Sequence, residues 1–262
     1  MVYNLIKTAQ AGTFIRETKA EAAPLTKNYR PAKSEHWHRR IFEWRPITLL
    51  VWSLVAVAIG GIIEIVPTFL VQSNVPTITS VKPYTPLELN GRDIYVREGC
   101  YTCHSQMVRP FRSETERYGE YAKAGEFVYD HPFQWGSKRT GPDLLRVGGK
   151  YPNSWHYYHM LDPASMSPGS IMPPYPWLFE QDWEKELLPK KITAMQTLGV
   201  PYAEGFQDEA VADAEQQAKS ISDDLATQEV RVVPDKEIVA LIAYLQRVGT
   251  DIKNIGETKN EQ

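Results

Sequence analysis

The chain has 262 residues, with 29 Lys plus Arg against 32 Asp plus Glu and a formal net charge of -3, which excludes nucleic-acid binding driven by bulk positive charge. Its length corresponds to roughly 1.7 average domains, so one compact module with appendages fits better than two full enzymes. Cys100 and Cys103 are its only cysteines, which excludes a disulfide framework and any four-thiolate cluster supplied by this chain alone.

Ile47 to Leu70 is apolar all round, with Glu64 its only ionisable residue. At about 1.5 Å per residue it reaches roughly 36 Å, enough to cross a hydrocarbon core of about 30 Å. A buried core helix would normally carry a polar stripe, so the pattern predicts a membrane span. The stretch begins too far into the chain, is too long and lacks a small-x-small cleavage pattern, which points to a retained anchor rather than a secretory signal. Lys27, Arg30, Lys33, Arg39, Arg40 and Arg45 precede it, and in the twenty residues after it the one basic residue is Lys82. The positive-inside rule then keeps the N-terminus in the cytoplasm and sends the chain after Val71 across the membrane. Trp37, Trp44 and Trp52 are expected at the cytoplasmic interface. His36 and His38 read as part of a solvated basic face rather than a metal site. The expected divisions are a cytoplasmic extension over 1–46, an anchor over 47–71, a linker over 72–86 and an exported domain over 87–262.

Beyond the span, Pro76, Pro83 and Pro86 mark a semi-extended stalk. Leu87, Ile94, Tyr95 and Val96 predict a short amphipathic helix ending around Gly99. Residues 203–230 carry eight acidic side chains against one Lys, a composition that predicts a solvated surface helix or an insertion outside the core. Lys190 to Leu198 reads as helical. Ile238, Leu241, Ile242 and Leu245 have helical spacing, opened by Pro234-Asp235. The fold class expected from these elements is mainly α.

The chemistry is concentrated in Cys100-Tyr101-Thr102-Cys103-His104. Two thiols at this spacing can add to the two vinyl groups of one haem, with the adjacent histidine as first axial ligand of the iron. A dithiol redox pair uses the same gap, but it needs no histidine next in line and normally sits in βαβ patterning, which is absent here. A zinc site would need two more ligands at comparable spacing. For the second axial position the candidates are Met107, Met160, Met166 and Met172. Met107 follows His104 too closely to reach across a porphyrin, and Met195 falls in a helical stretch where methionine is core filler. Met172 is favoured because it lies in the proline-braced run Ile171 to Trp177; Met166 is the runner-up. Thioether ligation raises the reduction potential, as electron transfer near the top of a respiratory chain requires.

Several neighbours carry two readings. Arg139 and Arg146 are candidates to pair with haem propionates, with ordinary salt bridges as the alternative. Trp155, His156, Tyr157, Tyr158 and His159 read as pocket wall and partner interface rather than as iron ligands. Gly99 is the expected point of close approach between the first and last helices of the domain, with Tyr244 packed there. Glu64 divides between snorkelling and contact with a partner helix.

The run Arg97 to Pro110, REGCYTCHSQMVRP, resembles the haem-binding segment of the mono-haem subunit of cbb(3)-type cytochrome c oxidases. Trp135, TGPDLLRVGGKYPNSWHYYHMLDP (140–163), IMPPYPWL (171–178) and GGIIEIVP (60–67) are similar to the same subunit. The resemblance extends over residues 47–205 and the final helix. It implies a class I cytochrome c domain in the periplasm, held at the bacterial inner membrane by one N-terminal helix. It implies one haem c attached to Cys100 and Cys103, with His104 and Met172 as axial iron ligands. The implied partners are a catalytic subunit carrying haem b and the haem–copper centre, a further cytochrome c subunit and a cytochrome c donor. The implied role is electron entry into an oxygen-reducing enzyme, with no oxygen-reducing site on this chain. The first 40 residues depart from the family's short cytoplasmic start. Competing readings are an independent membrane-anchored electron shuttle and a haem-based gas sensor. The acidic stretch 203–230 would suit docking of a basic donor.

Overall fold

The computed structural model describes residues 2–11, 38, 45–70, 77–136 and 138–253. Among them the regular structure is helical: nine α-helices, and no strand beyond one bridging pair, Asp182 with Lys236. Helix α1 is Val2–Ala11 and α2 is Pro46–Leu70. Over Pro46–Thr68, α2 is long and apolar enough to cross a membrane. Trp52 and the aliphatic side chains along it are exposed, as a lipid-facing helix requires. Lys27, Arg30, Lys33, Arg39, Arg40, His36, Trp37 and Trp44 lie outside the described residues, as does the start of the expected stalk.

The remaining helices are α3 (Pro86–Arg97), α4 (Arg112–Tyr118), α5 (Asn153–Leu161), α6 (Pro163–Met166), α7 (Leu188–Thr197), α8 (Phe206–Thr227) and α9 (Glu237–Arg247). A reciprocal capping box opens α3: Glu88 N donates to Thr85 Oγ1 and Thr85 N donates to Glu88 Oε2, with Pro86 in the first turn. Such a cap contributes about 1 kcal/mol. At the other end Gly99, with φ of 70°, turns the chain out of the helix into the cysteine pair.

The core is organised by the packing of α3 against α9. Ile238, Leu241, Ile242 and Leu245 are buried as the spacing predicts, but so is every other residue from Glu237 to Leu245. The close approach is made by Gly91, not Gly99. A Cβ on Gly91 would lie 1.9 Å from Ala240 O and 2.9 Å from Tyr244 Cβ, whereas one on Gly99 would meet nothing nearer than Thr102 at 3.7 Å. Tyr244 does sit at the crossing, with Tyr95 and Tyr84 at ring separations of 5.4 and 5.8 Å.

Two other expectations are corrected. Helix α3 is buried nearly all round rather than amphipathic: Arg92 reaches Asp130 at 3.3 Å and the carbonyls of His131 and Pro132, and Asn90 donates to Glu184 O. Helix α8 is acidic on its outer face, yet it is no insertion outside the core. Ala210, Ala214 and Ala218, followed by Ser222 and Leu225, form a buried stripe at four- and three-residue spacing, packed against α3, α7, α9 and α5. Alanine lets helices approach closely, and a hydropathy average over so many carboxylates hides the stripe. In α7, Met195 is core filler, as expected.

Gly91→Ala is expected to cost about 3 kcal/mol by overpacking the helix crossing. Gly99→Ala should cost nearer 1 kcal/mol, for backbone conformation alone. Thermal melts followed by circular dichroism at the helical band would rank the two.

Candidate functional site

Cys100–Thr102 forms one 3-10 turn directly after Gly99, closed by His104 N donating to Cys100 O at 2.9 Å. The turn and the two residues after it carry both thiols and His104 within five positions. Cys100 is half-buried and Cys103 exposed. Burial and then the charge of Glu98 push the Cys100 thiol up to about 12. A redox-active dithiol needs the opposite shift, so the environment disfavours that reading.

The geometry around His104 is specific. Its Nδ1 lies 2.8 Å from Pro142 O. A carbonyl can only accept, so Nδ1 carries the proton and Nε2 of the neutral ring presents its lone pair. This is the second-sphere arrangement that orients a metal-binding histidine. Gly141 lies flush against the ring: a Cβ there would come within 2.2 Å of Cε1. The segment is held in register by Gly141 N donating to Cys103 O and Leu144 N donating to Ser105 O.

Asp143 makes that register possible. One of its carboxylate oxygens accepts from Ser105 Oγ at 2.6 Å and from Met107 N at 2.9 Å, and the other accepts from Leu145 N at 2.9 Å. Neither Asp143 nor the Pro142 carbonyl was singled out by sequence reasoning. The available signal was the Gly-Pro pair in the TGPD run, which marks a fixed turn.

The run carrying Met172 returns to the same place. Trp177 Nε1 donates to Glu98 Oε2 at 2.9 Å, and Tyr175 N donates to Met160 O at 3.0 Å. The Tyr175 hydroxyl is raised above its usual range, first by burial and then by the nearby Cys100 and Cys103. The loop is therefore anchored beside the cysteine pair. Met172 is half-buried against the core. Met160 is buried on α5, Met166 ends α6, and Met107 is tied through its backbone to Asp143.

Arg139 and Arg146 already have partners. Arg139 donates to Ser105 Oγ, Met107 O, Glu114 and Asp143. Arg146 pairs in two-pronged fashion with Glu126 and donates to the carbonyls of Glu120 and Tyr121. These bonds supply the salt-bridge alternative; a propionate contact would have to use the donors that they leave over.

On α5, His156 is fully buried and His159 half-buried, and Trp155 stacks on His159 at 4.5 Å. Burial and then His159 pull His156 down to about 4. Among the described residues no group of three His, Cys, Asp or Glu side chains could hold a metal ion by itself. The donor set instead fits a porphyrin: two thiols, a proton-fixed imidazole, a glycine flush beneath it and a thioether on a braced loop.

A family model described as Cytochrome C oxidase, mono-heme subunit/FixO matches residues 38–252, from just before α2 to beyond α9. A search of curated proteins finds no match.

The His156 shift has a testable sign. An unfolded histidine takes up a proton near pH 6.5, whereas His156 in the folded chain resists until about 4. Its contribution to stability is therefore constant above pH 6.5 and is lost as pH falls toward 4. Urea midpoints at pH 7.5 and 5 should fall further for the unsubstituted protein than for His156→Gln.

Proposed function

The chain belongs to the mono-haem subunit family of cytochrome c oxidases, subunit II of the cbb(3) type, and on that premise we propose that it relays single electrons from a cytochrome c donor to haem b of the catalytic subunit. The observation that carries the reading is the His104 Nδ1 bond to Pro142 O beside the cysteine pair. When bound, the haem supplies a one-electron iron couple. In this reading Cys100 and Cys103 would hold it by thioether bonds, and His104 Nε2 and the Met172 thioether would ligate its iron. Met172 is preferred over Met166 because its loop is tied to Glu98 and lies beside the cysteines through Tyr175.

The residues around this site bind, orient and exclude water. Asp143 and Arg139 lock the loop behind His104, and Trp177 closes the loop that carries Met172. Arg139 and Arg146 remain candidates for propionate contact only through donors not already used. Helix α2 is the anchor; six basic residues over 27–46 against one over 71–90 support a cytoplasmic N-terminus, an inner-membrane location and a periplasmic site. Oxygen reduction then belongs to the catalytic subunit, beside which this chain and a further cytochrome c subunit assemble. The acidic outer face of α8 suits docking of a basic donor, so electron entry should slow as ionic strength rises.

Purification in mild detergent tests the reading. One c-type haem per chain, arriving with haem b and copper, is the expected result; a colourless chain would overturn it, and a haem chain that comes off alone would favour the shuttle. Met172→Ala should lose the sulfur-to-iron charge-transfer absorption of the ferric protein. Its reduction potential should also fall by an appreciable part of the roughly 0.8 V that axial ligation spans. Met166→Ala should change neither, and redox titration of the visible spectrum checks both.

A further inference from the structure

Helix α5 holds an imidazole that the proposed axial ligation leaves unused. Tyr151, Trp155 and His159 recur at four-residue spacing, and their rings form one stack, 4.1 Å apart at 15° and then 4.5 Å apart at 12°. The stack fixes the plane of His159, and with it the heading of its nitrogens. Nδ1 of that ring is buried and has no hydrogen-bond partner among the described residues. Buried polar atoms are nearly always paired, so an orphan of this kind calls for a partner that those residues do not supply.

One contact says where that partner lies. Met160, the next residue of α5, accepts through its carbonyl from Tyr175 N at 3.0 Å, so this end of the helix is tied to the loop that carries Met172. A ring nitrogen that bears the proton can only donate. On the porphyrin the strong acceptors are the two propionate carboxylates; vinyl groups and a thioether sulfur offer little. The guanidinium groups of Arg139 and Arg146 are occupied by Glu114, Asp143 and Glu126.

We infer that His159 donates a hydrogen bond from Nδ1 to a haem propionate and thereby takes part in setting the reduction potential. The inference rests on the reading given under Proposed function. Donation draws negative charge away from the carboxylate, so the ferric state is stabilised less and the potential is higher.

The test uses the full chain in its detergent-extracted complex. His159→Phe keeps a flat ring in the stack and deletes the donor; His159→Asn restores an N–H near the Nδ1 position. In His159→Phe the ferrous-to-ferric ratio at fixed ambient potential should fall about tenfold, which for a one-electron couple is 59 mV. His159→Asn should recover at least half of that shift. In the unsubstituted protein, resonance Raman should show the propionate-bending mode move on transfer from H2O to D2O, a readout that needs no variant to fold. A normal c-type haem with no isotope shift, or with the same potential in His159→Phe, overturns this inference alone. A chain without c-type haem overturns the underlying reading and this one with it.

Discussion

The hydrogen bond from His104 Nδ1 to the carbonyl of Pro142 is the constraint around which the site is built. It fixes which nitrogen is protonated, and so which one can face a metal. A backbone carbonyl can do this only if its own loop is immobile. Asp143 supplies that: one carboxylate accepts from a hydroxyl and two backbone amides drawn from both segments of the contact. Bonds to an ionised acceptor are about twice as strong as neutral ones. Arg139 bridges Asp143 to Glu114, which ties the long excursion between His104 and Gly141 into the same network. Orientation of one imidazole is thus a property of three segments distant in sequence.

The helix crossing carries that network into the core. Gly91 allows α3 to settle onto α9, and α3 delivers Gly99 and the cysteine turn from its C-terminal end. Tyr244, at the crossing, exchanges hydrogen bonds with Gln106, two residues past His104. Glu98, the residue that caps α3, receives Trp177 from the loop after Met172. Both sides of the proposed haem site therefore refer to one helix, and a shift of α3 would move both together.

What was legible in the sequence was whatever depends on local pattern. The anchor, the cysteine turn and α9 follow from apolar runs, spacing and helical period. What was not legible depends on partners far along the chain. Gly91 and Gly99 are both glycines near the same helix, and no local pattern says which one meets Ala240. The acidic surplus of α8 is real, but the alanine stripe beneath it matters only because α3 and α7 lie against it. Arg139 and Arg146 could be named as candidates for a carboxylate partner, but not told that Glu114, Asp143 and Glu126 would be there first. Pro142 acts through its carbonyl, which every residue has, so side-chain chemistry could not single it out.

The titratable groups near the site argue for its style of chemistry. A general acid or base works best with a pKa near the operating pH, and enzymes shift groups toward that value. Here the shifts run the other way. Cys100 is pushed up to about 12, His156 down to about 4, and Tyr95, Tyr175 and Tyr244 above their already high range, each mainly by burial. Desolvation holds every one of these groups in its neutral form. Neutral neighbours of this kind fit the proposed relay of electrons better than proton chemistry on this chain.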